Sequence, residues 1–126
     1  RSSNLTDELI ILKADFSCKH SSLSEIIEKK NYIKLKREKS QPIKEKTSGS
    51  TFKNPSGKFA AALIEKAGCK GMKNGGASVS TIHSNFIINN GEATALDIEN
   101  LGKKIIKQVE KKFGITLEWE IKIIGK

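Results

Sequence analysis

Near its C-terminus the sequence changes from a helical period to a strand period at a single residue, Gly114. Before this glycine, apolar residues recur three or four positions apart, as on one face of a helix. They are Ile98, Leu101, Ile105 and Val109. After it, apolar and polar residues alternate over 115–123, which predicts a half-buried strand with Glu118 and Glu120 on its polar face. Because glycine commonly ends helices, the chain must fold so that a helix leads directly into a strand.

The rest of the chain shows the same two periods. The other predicted elements are a buried strand over 9–16, a helix over 22–38, a loop over 43–57, a helix over 59–67 and a strand over 85–89. Ser22 and Glu25 have the spacing of a capping box, and Thr94 and Asp97 have the same spacing before the last helix. Pro42 requires the first helix to stop before it. The order strand, helix, helix, strand, helix, strand indicates an α+β or α/β domain.

The chain is strongly basic. It carries 23 Lys and Arg against 14 Asp and Glu, a formal net charge of +9, and much of the excess falls between Lys29 and Lys46. Such a stretch suits nucleic acid, an anionic membrane or a phosphate-bearing small molecule, or it is the solvated face of a helix. Tyr32 is the only aromatic residue within it, which argues against a surface for stacked single strands. No apolar run approaches the roughly 20 residues of a membrane span, so we expect no membrane partner.

The two cysteines, Cys18 and Cys69, lie in unrelated settings and have neither CxxC nor metal-ligand spacing. We therefore expect two reduced thiols, as is typical of a cytoplasmic protein, and no metal site. A disulfide or a zinc site is the alternative.

Three groups of polar residues could support chemistry. The loop 48–51 consists of small residues ahead of a helix, with Lys53 close by, so its N–H groups either hold an anion or form part of an ordinary helix cap. It lacks the Walker A spacing. His83 stands alone, and a lone histidine is more often structural than catalytic. Glu118 and Glu120 share one strand face, where they either act in acid–base catalysis or are neutralised by lysines such as Lys122.

Several runs occur in a characteristic order between residues 49 and 122. They are Gly49-Ser50-Thr51-Phe52-Lys53-Asn54-Pro55, Leu63-Ile64-Glu65-Lys66-Ala67-Gly68, Gly75-Gly76-Ala77, His83-Ser84-Asn85-Phe86-Ile87, Ala93-Thr94-x-x-Asp97, Phe113-Gly114-Ile115 and Leu117-Glu118-Trp119-Glu120-Ile121-Lys122. Together they closely resemble the UDP-N-acetylenolpyruvoylglucosamine reductases (UDP-N-acetylmuramate dehydrogenases). The resemblance implies an α+β substrate-binding C-terminal domain over 20–126, a small sheet packed with helices. It also implies that residues 1–19 supply the last strand of the FAD-binding region.

The resemblance implies the reaction as well. Enzymes of this family take a hydride from NADPH onto FAD and pass it to UDP-N-acetylglucosamine enolpyruvate, giving UDP-N-acetylmuramate for peptidoglycan and cell-wall synthesis. The family's proton-donating serine corresponds to Ser50, and its catalytic acidic residue corresponds to Glu120. Arg1, in Arg1-Ser2-Ser3, matches part of the family's Y-R-x-S motif and is a third catalytic candidate.

The same resemblance implies substrate contacts at Asn54, His83 and Lys53, and places Arg37 on the cofactor side. FAD would be held mainly by a part of the enzyme that precedes this chain, so we expect the chain alone to be inactive. Two readings from other classes stay open at this point: a basic α+β module that binds nucleic acid, and a non-catalytic scaffold built on the same domain.

Overall fold

The structure is a computed structural model and describes residues 9–125. The elements follow in the order α1 (Leu23–Ser40), α2 (Ala60–Lys66), β1 (Lys73–Asn74), β2 (Ala77–Val79), β3 (Ile87–Asn89) and α3 (Ala95–Phe113). The fold is α+β, a small antiparallel sheet packed with helices, as the sequence predicted. None of the helices in this part of the chain has the length and apolarity needed to cross a membrane.

Helix α3 begins and ends at the residues that the sequence indicated. Thr94 Oγ1 accepts a hydrogen bond of 3.1 Å from the Asp97 N–H, and the Asp97 carboxylate accepts one of 3.0 Å from the Thr94 N–H. The capping box is therefore formed. Gly114 ends the helix with a φ of +65°, a conformation that a side chain would disfavour. The buried face of α3 consists of Leu101, Gly102, Ile105 and Val109.

The sheet has the strand order β1-β2-β3, with antiparallel pairing throughout. Asn74 pairs with Ala77 across a tight turn formed by Gly75 and Gly76, and Val79 pairs with Ile87. The sheet packs against α3, which also contacts α2. The core lies between these elements and includes Phe52, Ile64, Cys69, Val79, Leu101, Ile105, Val109 and Leu117.

The predicted strand over 9–16 is not formed, so that prediction is wrong for the residues described. Residues 9–22 are in neither helix nor strand, and Ile10 and Leu12 are 86% and 91% exposed. A strand is stable only when its backbone N–H and C=O groups pair with a neighbour. No residue in 9–125 pairs with this segment.

Helix α1 was predicted over 22–38 and extends to Ser40, with the expected capping box between Ser22 and Glu25 and an end before Pro42. It contains no buried residue and contacts none of the other helices and strands in the described chain. The basic stretch therefore lies largely on a solvated helix. The domain boundary after residue 19 stays a prediction.

The predicted C-terminal strand is reduced to one isolated bridge, between Trp119 and Phe52. The alternation nevertheless appears in the burial of the side chains: Leu117 is buried and Trp119 half-buried, whereas Glu118 and Glu120 are exposed. The segment pairs with only a short irregular stretch of chain, too short to support a regular strand. The hairpin of β1 and β2, with its two-glycine turn, was not among the elements predicted from the sequence.

Candidate active site

The loop that contains Ser50 is held on one side by the segment just before β3. Ser50 forms an isolated antiparallel bridge with Phe86. The Thr51 N–H donates a hydrogen bond of 2.8 Å to the Asn85 C=O. These contacts attach the loop to a part of the chain more than thirty positions away, beside the sheet.

On its other side the loop is held by the C-terminal segment. The Glu120 N–H donates to the Thr51 C=O at 2.9 Å, and the Lys53 N–H donates to the Glu118 C=O at 2.9 Å. Residues 51–53 thus lie between residues 85–86 and 118–120, like a short central strand. The position of the loop is set by backbone pairing on both sides.

Between these two contacts Asn85 fixes Phe52 with its side chain. Asn85 Nδ2 donates to the Phe52 C=O at 2.8 Å, and the Phe52 N–H donates to Asn85 Oδ1 at 3.0 Å. Asn85 is only 4% exposed, so both bonds are shielded from water. We did not single out this residue from the sequence. The available signal was its place directly before the apolar run Phe86-Ile87-Ile88. A polar side chain buried beside such a run needs hydrogen-bond partners within the protein.

Four of the predicted site residues line one cleft of about 530 Å³. They are Ser50, Lys53, Asn54 and Glu120. Ser50 is half-buried, and the other three are exposed. The cleft therefore combines a hydroxyl, an ammonium, a carboxamide and a carboxylate, a set suited to a polar ligand with several hydrogen-bonding groups.

Glu118 and Glu120 have different surroundings, although they share one face. Glu118 forms an ion pair of 3.2 Å with Lys53, and both side chains are largely exposed. It lines a smaller neighbouring cleft of about 290 Å³ with Lys53 and Asn54, whereas Glu120 lines the cleft of Ser50. Lys53, and not Lys122, is the described partner of Glu118.

Asn54 also has a structural contact. Its Oδ1 accepts a hydrogen bond of 2.9 Å from the Ala60 N–H at the start of α2. This bond satisfies one of the N–H groups that a helix leaves unpaired at its N-terminus. Asn54, which follows the loop 48–51, thus supports the start of α2 and also lines the cleft.

His83 does not line the cleft of Ser50. Its Nδ1 accepts a hydrogen bond of 3.3 Å from the Asn85 N–H, and its ring meets the Phe86 ring edge to face at 4.8 Å. Burial lowers the pKa of His83 below its ordinary value of 6.5, which favours the neutral ring that this bond requires. His83 is thus linked to the Ser50 loop through Asn85 and Phe86.

The remaining predicted residues lie elsewhere. Arg37 is on α1, in a separate groove of about 280 Å³ with Lys30, Lys34 and Ile43. Arg1 lies outside the described residues. Within 9–125 no group of three or more His, Cys, Asp or Glu side chains could hold a metal ion. Cys18 and Cys69 are both free thiols.

Comparison with known proteins identifies the family. Residues 41–124 match the model of the UDP-N-acetylenolpyruvoylglucosamine reductase C-terminal domain. This chain belongs to that family. The UDP-N-acetylenolpyruvoylglucosamine reductase of Rickettsia conorii is 51% identical over 126 residues, which are 100% of this chain and 43% of the relative. That of Parvibaculum lavamentivorans is 48% identical over 119 residues, 94% of this chain and 38% of the relative.

A solved structure supports the same assignment. The UDP-N-acetylenolpyruvylglucosamine reductase of Thermus caldophilus matches with a TM-score of 0.66 and 37% identity, over 81% of this chain and 36% of that protein. The family resemblance and the fold class predicted from the sequence are both confirmed. The chain spans less than half the length of these reductases, and it corresponds to their C-terminal domain.

Proposed function

We propose that this chain is the substrate-binding C-terminal part of a cytoplasmic reductase that converts UDP-N-acetylglucosamine enolpyruvate to UDP-N-acetylmuramate for peptidoglycan synthesis. NADPH is the hydride donor, and FAD is the intermediate carrier. The observation that carries the proposal is the cleft in which Ser50 and Glu120 meet Lys53 and Asn54. The comparisons give no support to the nucleic-acid-binding alternative, and the basic stretch on α1 lies apart from this cleft.

The residues of the cleft fit the substrate better than the flavin. A flavin ring binds against apolar surfaces, whereas this cleft is lined by four polar residues. We therefore assign FAD mainly to the part of the reductase that this chain does not span, with Arg37 as a candidate contact. When bound, reduced flavin supplies a hydride to the enolpyruvyl double bond.

We assign Ser50 as the donor of the proton that completes the reduction of the double bond. Hydride addition at one carbon of the double bond leaves an enolate-like carbanion at the other, next to the substrate carboxylate. A serine hydroxyl is a weak acid, so it can protonate only such a strongly basic carbon, and its position is more important than its acidity. The Oγ–H bond breaks as the C–H bond forms, and the resulting alkoxide regains a proton from solvent.

The other residues are assigned to binding and charge stabilisation. Glu120 lines the cleft with Ser50. We assign Arg1 to stabilise the developing negative charge electrostatically, and Glu120 to donate a hydrogen bond to it as a neutral carboxylic acid, because an ionised carboxylate would repel that charge. Lys53 and Asn54 offer an ammonium and a carboxamide to the sugar nucleotide. His83 lies behind the loop, so its contact with substrate is the least direct of these assignments.

The test separates the two half-reactions of the full-length reductase. We expect S50A to leave flavin reduction by NADPH nearly unchanged and to slow flavin reoxidation by the enolpyruvyl nucleotide about 10²- to 10⁴-fold, the usual range for general acid–base catalysis. E120Q should slow the same step, while E118Q is the matched control and should have little effect on it. Equal loss in both half-reactions for S50A would contradict the assignment of Ser50.

A further inference from the structure

The backbone N–H and C=O of Phe52 form hydrogen bonds with a side chain, whereas in a regular sheet they would bond to the backbone of a neighbouring strand. The neighbouring C=O of Thr51 and N–H of Lys53 bond to the C-terminal segment. The N–H and C=O of Phe52 bond instead to the Asn85 carboxamide, at 3.0 and 2.8 Å. A carboxamide has one acceptor and donors in the same plane, so it can imitate the edge of a peptide group.

Asn85 also uses its main chain at the same place. Its C=O accepts the Thr51 N–H at 2.8 Å, and its own N–H donates to His83 Nδ1 at 3.3 Å. Two consecutive residues of the loop, Thr51 and Phe52, are therefore held by one buried residue. Ser50 immediately precedes them, so its backbone direction depends on this attachment.

At the other end of the loop the Gly49 N–H donates a hydrogen bond of 3.3 Å to Thr47 Oγ1, only two residues away, so this bond joins the loop only to itself. Gly49, directly before Ser50, has a φ of +93°, and a Cβ placed on it would meet no atom within 4 Å. The open space around Gly49 contrasts with the buried contacts at Thr51 and Phe52. Ser50 is consequently attached to the buried part of the chain through its bridge with Phe86 and through the two residues that follow it.

We propose that Asn85 is a positioning residue for the proton-transfer step, because its carboxamide holds Phe52 so that Ser50 Oγ keeps its place in the cleft. This inference rests on the proposed function. Asn85 does not line the cleft, so it acts through Ser50 and not on the substrate.

The main test is N85D in the full-length reductase. Aspartate has nearly the same shape and can accept the Phe52 N–H, but its ionised carboxylate cannot donate to the Phe52 C=O. We expect flavin reduction by NADPH to be unchanged and single-turnover reoxidation by the enolpyruvyl nucleotide to slow by about 10- to 100-fold, the loss that follows from misplacing a reacting group by about 1 Å. The dissociation constant of the enolpyruvyl nucleotide should change little.

Ser84 provides a matched control. It is the adjacent residue, it is also buried, and its Oγ has no hydrogen-bond partner in the described structure. S84A therefore changes a buried polar side chain in the same segment without breaking a bond to the loop. We expect wild-type rates in both half-reactions, and a loss equal to that of N85D would overturn the proposal.

A double-mutant cycle decides whether Asn85 acts through Ser50. If it does, N85D should cause no further slowing in the S50A background, because the group that it positions is already absent. A further loss by the same factor would assign Asn85 a general structural role and refute the proposal, as would an unchanged reoxidation rate for N85D alone. An unchanged reoxidation rate for S50A would instead refute the proton-donor assignment of Ser50. Failure of the proposed function can therefore be distinguished from failure of the positioning role of Asn85.

A second variant covers the case in which N85D does not fold. N85A removes both bonds and leaves space for water beside Phe52, without a buried charge. The same slowing of reoxidation is expected, with a larger solvent deuterium isotope effect because proton transfer limits the rate more fully. A folded N85A enzyme with the wild-type rate and isotope effect would reject the role.

Discussion

A single methyl group added at Gly102 should disturb the cleft of Ser50, although Gly102 itself does not line that cleft. It is buried in α3, and a Cβ built on it would overlap the six-membered ring of Trp119. That ring packs against the Phe52 ring, with a centroid distance of 5.0 Å and a tilt of 38°. Phe52 lies in the loop of Ser50. The substitution G102A should therefore displace Trp119 and weaken the support of this loop.

Two opposing effects determine the stability of G102A. Alanine in place of glycine inside a helix contributes about 1 kcal/mol to the free energy of unfolding. Overpacking a filled core costs about 1–3 kcal/mol, and disruption of the ring contact between Trp119 and Phe52 costs about 0.5–1.5 kcal/mol more. We expect the free energy of unfolding of G102A to fall by about 0.5–3.5 kcal/mol.

The assay is urea unfolding followed by far-UV circular dichroism, with the slope of the transition compared among variants. Gln108, an exposed position of the same helix, gives the reference: Q108A should be more stable than Q108G by about 1 kcal/mol, the helix preference alone. Adding W119L to G102A should restore much of the loss, since the smaller side chain leaves room for the methyl group. A gain in stability for G102A would show that Trp119 does not rest on Gly102.

Two further predictions concern titratable groups. Because burial lowers the pKa of His83 below 6.5, the unfolded chain binds its proton first as the pH falls, so the free energy of unfolding should decrease below about pH 6.5. H83Q should lack this part of the pH dependence, and an identical pH profile for H83Q and wild type would exclude it. Burial also raises the pKa of the Cys69 thiol, whereas Cys18 is exposed, so Ellman's reagent should modify one thiol rapidly in the native chain and the second only in denaturant. C18S should abolish the fast reaction, and rapid native modification of Cys69 would contradict its burial.

The helices could be predicted because their signals are local. The capping boxes at Ser22 and Thr94 and the glycine at 114 each operate within a few residues, and each is present in the structure. The packing of a helix is a different matter. The sequence of α1 contains apolar residues at helical spacing, yet none of its side chains is buried, because burial depends on which surface comes to face the helix.

The strands were predicted less well because their stability depends on distant partners. The segment 9–16 has the composition of a strand, but no described residue pairs with it. The strands β1 and β2 contain two and three residues, too few to show an alternating pattern. Their turn, Gly75-Gly76, was the detectable signal, since two glycines between pairing residues are typical of a tight hairpin.

The alternating pattern of the C-terminal segment could not show which of its two glutamates lines the cleft of Ser50. Alternation along 115–123 placed Glu118 and Glu120 on one face, and it treats the two residues alike. The register of the bridge between Phe52 and Trp119 distinguishes them. With this register Glu118 Oε2 lies 3.2 Å from Lys53 Nζ, and Glu120 lines the same cleft as Ser50. Only the family motif pointed to Glu120 in advance, and the pairing of two segments more than sixty residues apart provides the physical reason for that choice.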